Sequence, residues 1–342
     1  MAEAKHSRTN LGRTLFVCAA LGLLLVIAFL ISSVIGAQRL SFGGALCALT
    51  GRSNCNLSSE ERAILFDIRL PRILLAGAVG TCLAAAGAAY QALLRNPLAE
   101  PYLLGVSNGA AVGTMAALVF FGAYEWSRPV MAFAGAIAAT FLVYRLARGR
   151  AGATPERLIL AGVIVTTFLS SAIVFITTVM DATRIRSFTF WLLGDLSGTT
   201  SSLLTVAFVA AAVGVLALVL NARALNLMML GERDAFDLGV EVGRVRLIVF
   251  AAASLLVGAS VASSGSVGYV GLVVPHLVRL SFGSDNRLVI PAAAIAGATF
   301  VIVADTLART VIAPRELPVG ALTALIGAPL FVYLLKRGTA AI

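Results

Sequence analysis

Nine stretches of this chain contain no Asp, Glu, Lys or Arg and are dominated by apolar side chains: residues 14–38, 73–94, 101–124, 129–144, 158–180, 196–222, 247–278, 288–304 and 317–335. A helix needs about 20 apolar residues to cross a bilayer core about 30 Å thick, so most of these runs read as single spans. The seventh, 247–278, is too long for one. The break Ser263-Ser264-Gly265-Ser266-Val267-Gly268 divides it, and the second piece is short and contains Pro275. A half-span is tolerated at membrane depth only where its backbone is buried in protein or lines a watery path. The expectation is an all-α polytopic membrane domain covering 1–342, with ten transmembrane helices near 14–38, 70–94, 101–124, 129–146, 158–180, 199–221, 245–263, 269–282, 288–308 and 317–336.

Composition agrees and narrows the chemistry. With 59% hydrophobic and 12% charged residues and a mean hydropathy of +0.96, the chain has the wrong balance for a water-facing globule. The net charge is +10, but Lys5 and Lys336 are the only lysines, so no Gly-Lys-Ser/Thr phosphate loop exists to bind ATP. His6 and His276 alone cannot furnish a His-based metal site or a Ser-His-Asp triad. The arginines lie between apolar runs and form no single basic face, which argues for membrane lipid and against nucleic acid. Ten spans place both termini on one side. If that side is cytoplasmic, 16 of the 26 basic residues fall on inner segments, as the positive-inside rule requires. The first run is too long for a signal-peptide core and reads as a retained helix.

Asp195 and Asp305 are the main acidic residues near the spans, and both lie near predicted span ends. An ion-coupled carrier or an intramembrane enzyme would need more titratable groups than this. The small residues Gly105, Gly109 and Gly113, and Ser254, Gly258 and Ala262, recur at helix-packing intervals. Cys47 and Cys55 flank a polar turn after the first span, either as a disulfide in an oxidising compartment or as two free thiols.

The connections carry the functional signals. Between the sixth and seventh spans, residues 222–244 include Gly231, Glu232, Ala235, Leu238, Gly239, Val240 and Val242. Apolar residues at helical spacing between glycines describe a short amphipathic helix, which either docks on a soluble partner or packs on its own domain. Arg69, Arg72 and Arg309 fall on outer segments as lipid-headgroup anchors or as a docking face for an acidic partner. In 181–198, Arg184, Arg186, Phe190, Trp191 and Asp195 read as interfacial anchors or as a lure for anionic substrates.

Several motifs then fall in order across residues 60–337: Arg69-Leu-Pro-Arg72; Gln91-Ala-Leu-Leu-Arg-Asn-Pro-Leu-Ala-Glu-Pro-Tyr-Leu-Leu-Gly-Val-Ser-Asn-Gly109; Leu158-Ile-Leu-Ala-Gly162; Gly268-Tyr-Val-Gly-Leu-Val-Val-Pro-His-Leu-Val-Arg279; Ala304-Asp305 with Arg309; and Glu316-Leu-Pro-Val-Gly320. Together they resemble the FecCD-type permeases of bacterial ABC importers for iron-siderophores, haem and cobalamin. The resemblance implies a type II ABC importer permease fold in the inner membrane. It implies a homodimer that is not itself an enzyme, two ATPase subunits that hold the ATP and Mg, and a periplasmic substrate-binding protein. It matches Gly231, Glu232, Ala235, Leu238, Gly239 and Val240 to the ATPase-coupling loop, and Arg69, Arg72 and Arg309 to binding-protein docking. Leu98, Thr154, Pro155 and Glu156 match the gate, where Pro155 and Glu156 depart from the small hydroxyl residues of other members. An iron chelate is favoured over cobalamin, and uptake that persisted without ATP would instead indicate a secondary carrier or channel.

Overall fold

The structure is a computed structural model that describes residues 11–36, 38, 40–52, 55–121, 126–149 and 152–338. Lys5, Arg8, Arg150 and the end of the third apolar run at Tyr124 lie outside the described residues. Among the described residues fifteen α-helices follow one another: α1 (Leu11–Val34), α2 (Phe42–Leu49), α3 (Ser59–Ala63), α4 (Leu70–Leu93), α5 (Val106–Phe120), α6 (Ser127–Ala147), α7 (Pro155–Val179), α8 (Ala182–Leu192), α9 (Ser201–Leu220), α10 (Ala222–Leu230), α11 (Glu232–Asp237), α12 (Val242–Ser264), α13 (Val270–Phe282), α14 (Asn286–Thr310) and α15 (Val319–Gly338). A π-turn over Ile64–Arg69 joins α3 to α4 without a break. A two-stranded hairpin, β1 (Arg148–Gly149) with β2 (Gly152–Ala153), leads into α7.

Seven stretches among the described residues are long and apolar enough to cross a membrane: α1, the continuous Ser59–Leu93, α6, α7, α9, α12 and α14. Three apolar helices are shorter, namely α5, α13 and the Val319–Leu334 part of α15. The expected division of 247–278 is present as α12 and α13. The first and third runs differ from expectation. Helix α1 stops at Val34 and not near 38, because the Arg69 guanidinium donates to the carbonyls of Ser33 (3.0 Å), Val34 (2.9 Å) and Gln38, taking up acceptors that a helix end leaves unpaired. The third run opens as a 3₁₀ turn over Pro101–Leu104, and Gly105 at φ +76° starts α5 afresh.

Helix α4 is the axis of the bundle and packs against α14, α12, α13 and α9. Its small face makes this possible. A side chain at Gly80 would collide with the Gly297 carbonyl of α14, and one at Gly87 with the Gly271 carbonyl of α13, so backbone meets backbone as in other small-residue membrane contacts. Gly109 faces Gly135 and Gly113 faces Met131 across the α5–α6 contact, confirming a packing role for that stripe.

Two irregular segments meet inside this bundle. Residues 94–105 rise from the end of α4, and residues 265–269 descend from the end of α12. The Tyr102 hydroxyl donates to the Val267 carbonyl and accepts from the Val267 amide, both at 3.0 Å. The Glu100 carboxylate accepts from the Tyr269 amide at 3.2 Å, and Ser107 donates to Ser266 at 3.3 Å. Side chains of the first segment thus satisfy backbone groups of the second that have no helical partners, which permits non-helical chain at this depth.

Candidate functional site

At the α10–α11 end of the bundle a cleft of about 430 Å³ is lined by Arg95, Thr154, Pro155, Glu156, Gly231 and Glu232, with Arg233 and Asp234 at its edge. Gly231, at φ +153°, ends α10 and starts α11 in a conformation that a side chain would strain. Thr154 precedes α7 at the N-cap position and Pro155 is its first residue. Proline at the first helical position costs no hydrogen bond, and Glu156 places its negative charge near the helix N-terminus. The departure noted at Pro155 and Glu156 is therefore a helix-start signature. Leu98 is 44% exposed and does not line the cleft; its amide is held by the Asn96 side chain at 2.9 Å.

One carboxylate ties this end together. Glu232 pairs with Arg246, whose side chain is only 5% exposed, and lies 3.9 Å from Arg95 at the end of α4. Helix α11 is thereby tied to α12 and faces the loop that follows α4.

The six residues assigned to coupling divide between two faces. Ala235 is completely buried against the bundle and Val240 is half-buried, with its amide on the Ala235 carbonyl at 2.9 Å. Leu238 is 62% exposed and its neighbour Phe236 is 72% exposed. Ala235 thus faces inward while Leu238, at the end of α11, faces outward, and the chain turns at Gly239 (φ +85°). The outward apolar pair is Phe236 and Leu238. Helical spacing counted from Ala235 does not reach Phe236, so the sequence pattern alone does not single it out.

At the opposite end Arg69, Arg72 and Arg309 lie within the bundle. Arg69, Arg72 and Arg309 are 4%, 7% and 6% exposed and are engaged by groups of this chain. Arg72 donates to Asp305 at 2.9 Å and to Glu316 at 2.7 Å. Arg309 Nε lies 3.0 Å from the second Asp305 oxygen, out of line for a hydrogen bond, and its other nitrogen donates to Ser32 at 2.9 Å. Arg69 caps α1. A guanidinium this far from water needs anions and carbonyls around it, and α1, α14 and the segment before α15 supply them.

Cys47 and Cys55 form a disulfide that closes the turn after α2. Cys18 and Cys82 are free. Among the described residues no group of three or more His, Cys, Asp or Glu is placed to hold a metal ion.

Comparison with known proteins supplies the frame for these features. A profile of the FecCD transport family matches residues 24–337. The chain is 41% identical over 324 residues to the hemin transport system permease protein HmuU of Yersinia pestis, covering 92% of this chain and 93% of that one. It is 42% identical over 275 residues to the cobalamin import system permease protein BtuC of Halobacterium salinarum, covering 80% and 74%. Among solved structures, a metal-chelate type ABC transporter in an inward-facing conformation superposes with a TM-score of 0.84 at 32% identity, over 94% of this chain and 99% of the other. With its apolar helices, its small-residue packing about α4 and this match over nearly its whole length, the chain is a multi-pass membrane protein of the FecCD transport family.

Proposed function

We propose that this chain is the permease subunit of an ATP-driven importer that moves a metal chelate, haem or an iron-siderophore, across the inner membrane. In this reading two copies enclose the path, and two ATPase subunits bearing ATP and Mg dock on the α10–α11 end. A periplasmic binding protein delivers substrate to the opposite end, and both termini are cytoplasmic. The observation that carries the reading is the α11 end. Two large apolar side chains, Phe236 and Leu238, stand exposed on an element clamped by Glu232 to α12 and facing Arg95 beside the 154–156 turn. A push on α11 from a soluble motor reaches α12 through Glu232 and meets the loop that leads into residues 94–105. Alternating access follows when that push changes which end of the path is open.

The experiment is uptake into proteoliposomes holding this chain with its ATPase and binding protein. Haemin or a ferric siderophore should enter only with ATP and only with the binding protein present. Uptake driven by an ion gradient after ATP is removed would assign the chain to the secondary carriers instead. Cobalamin is the competing cargo, because relatives of similar identity import it, and the same assay distinguishes the two by which ligand is transported at equal concentration.

A further inference from the structure

A cavity with a mixed polar and aromatic lining lies far from the coupling cleft, where α6 and α9 begin and α12 ends. It measures about 640 Å³, within the range of about 300–1,000 Å³ usual for small-molecule sites. Arg128 in the first turn of α6 and Asp195 in the turn before α9 both line it, with Trp126, Phe190 and Trp191 between them and the hydroxyls of Thr199 and Thr200 alongside. Neither Arg128 nor Asp195 has an ion-pair partner among the described residues. Asp195 is nonetheless held in place. Its amide donates to the Ser264 carbonyl at 2.8 Å, and one carboxylate oxygen accepts from the Ser197 amide at 2.8 Å, leaving the second oxygen for a ligand.

The position identifies the class of ligand. Helices α6 and α9 both begin here, at the same end of their spans, so the cavity sits at headgroup depth. Helices α6 and α9 both pack on α12, and next along them from the lining residues Pro129 and Leu203 they expose Val130 and Val206, at 57% and 51%. Farther along the same two helices Phe141 and Val213 are exposed as well. A molecule filling the cavity therefore has a cation and an anion to satisfy at the top and apolar helix flanks beneath. We propose that this cavity binds one outer-leaflet phospholipid with a zwitterionic amino-phosphate headgroup. The phosphate lies against Arg128, and the ammonium lies against Asp195 and the aromatic faces. Tryptophans at membrane interfaces favour such amphipathic surroundings, a cation over an aromatic face is attracted to it, and charge-assisted hydrogen bonds are the stronger kind. A primary ammonium with three N–H donors suits a carboxylate flanked by threonine hydroxyls better than a donor-free quaternary one. The assignment of leaflet rests on the topology proposed above. The chemistry of the site does not, and its test needs no transport.

The full chain is placed in nanodiscs of equal phosphatidylethanolamine and phosphatidylglycerol, extracted into mild detergent, and its retained lipid quantified by native mass spectrometry. Wild type is expected to retain phosphatidylethanolamine about tenfold over phosphatidylglycerol. Asp195→Asn should bring that ratio near one, and Arg128→Gln should lower retention of both lipids. Arg184→Gln, which removes an exposed arginine of α8 paired with Asp181, should change neither. If Asp195→Asn fails to fold, Trp126→Leu takes its place and is expected to lower phosphatidylethanolamine retention. Equal retention of the two lipids by wild type, or an unchanged ratio in a folded Asp195→Asn or unchanged retention in Trp126→Leu, would overturn the proposal. Soluble phosphoethanolamine should not displace the lipid. Its displacement by that compound, or by haemin or a ferric chelate, would make the cavity a site for a soluble ligand and equally overturn the lipid assignment.

Discussion

Asp305 and Glu232 each gather two arginines, one at either end of the same bundle, yet the two clusters differ in burial and in reach. Asp305 is fully buried, and its arginines, Arg72 and Arg309, are also bound by Glu316 and Ser32. Glu232 is 36% exposed, holds the buried Arg246 closely, and meets Arg95 only at 3.9 Å. The first cluster has Asp305 and both arginines buried among helix bodies, with only Glu316 reaching the surface. The second joins a short surface helix to its neighbours through one side chain. Removing a partner from a buried pair costs about 3–5 kcal/mol, whereas an exposed pair is worth about 0–1 kcal/mol. The Asp305 end is therefore built to stay fixed, whereas at the Glu232 end the contact with Arg95 can rearrange at low cost.

The sharpest way to break this contrast is Asp305→Asn, which leaves Arg72 and Arg309 buried without their shared anion. A loss of about 3–5 kcal/mol is expected, seen as a lower melting temperature in detergent and reduced monodisperse yield. A variant that melts like wild type would mean that the arginines are not locked, and would return them to the docking role. Next, Leu238→Glu should leave the melting temperature unchanged but weaken ATPase binding by about 10- to 100-fold, the equivalent of one apolar side chain buried at an interface. Co-purification with the ATPase subunit measures it, and Phe236→Glu should behave alike. Third, Glu232→Gln keeps the shape but withdraws the charge from Arg246. It should lower stability by about 1–3 kcal/mol and reduce transport per ATP hydrolysed in proteoliposomes. Smallest is Arg95→Gln, expected to change stability by less than about 1 kcal/mol. If its melting shift equalled that of Glu232→Gln, the 3.9 Å contact would be as strong as the buried one and the proposed difference between the ends would fail.

Spans were legible because the absence of charge over 20 residues has one dominant cause, and the Ser263–Gly268 interruption showed through as a true break. Motif order identified the family for the same reason that it covers most of the chain. What the sequence concealed was the direction in which side chains point. An arginine between apolar runs looks the same whether it snorkels to a headgroup or caps a helix 35 residues earlier, as Arg69 does at Val34. Asp305 and Arg309 stand one helical turn apart, a spacing that signals an internal pair, but Arg72 and Glu316 join them only through tertiary folding. Glu100 was likewise passed over as part of a motif, because nothing local indicates that its carboxylate will meet Tyr269 from another helix. Ala235 and Leu238 satisfied a helical pattern that the Gly239 turn cuts short.

Helix α13 has a consequence for how the chain is made. Its 13 residues reach about 20 Å at 1.5 Å per residue, well short of a hydrocarbon core about 30 Å thick. Judged by apolar length alone as it leaves the ribosome, this segment would not be committed to the bilayer. Its seat, the Gly87 groove of α4, is synthesised nearly two hundred residues earlier and is already in the membrane when residues 270–282 emerge. Integration of α13 is therefore a folding event and not a partitioning one. A bulky side chain at Gly87 should leave this part of the nascent protein exposed to quality-control proteolysis, even though every longer helix has inserted.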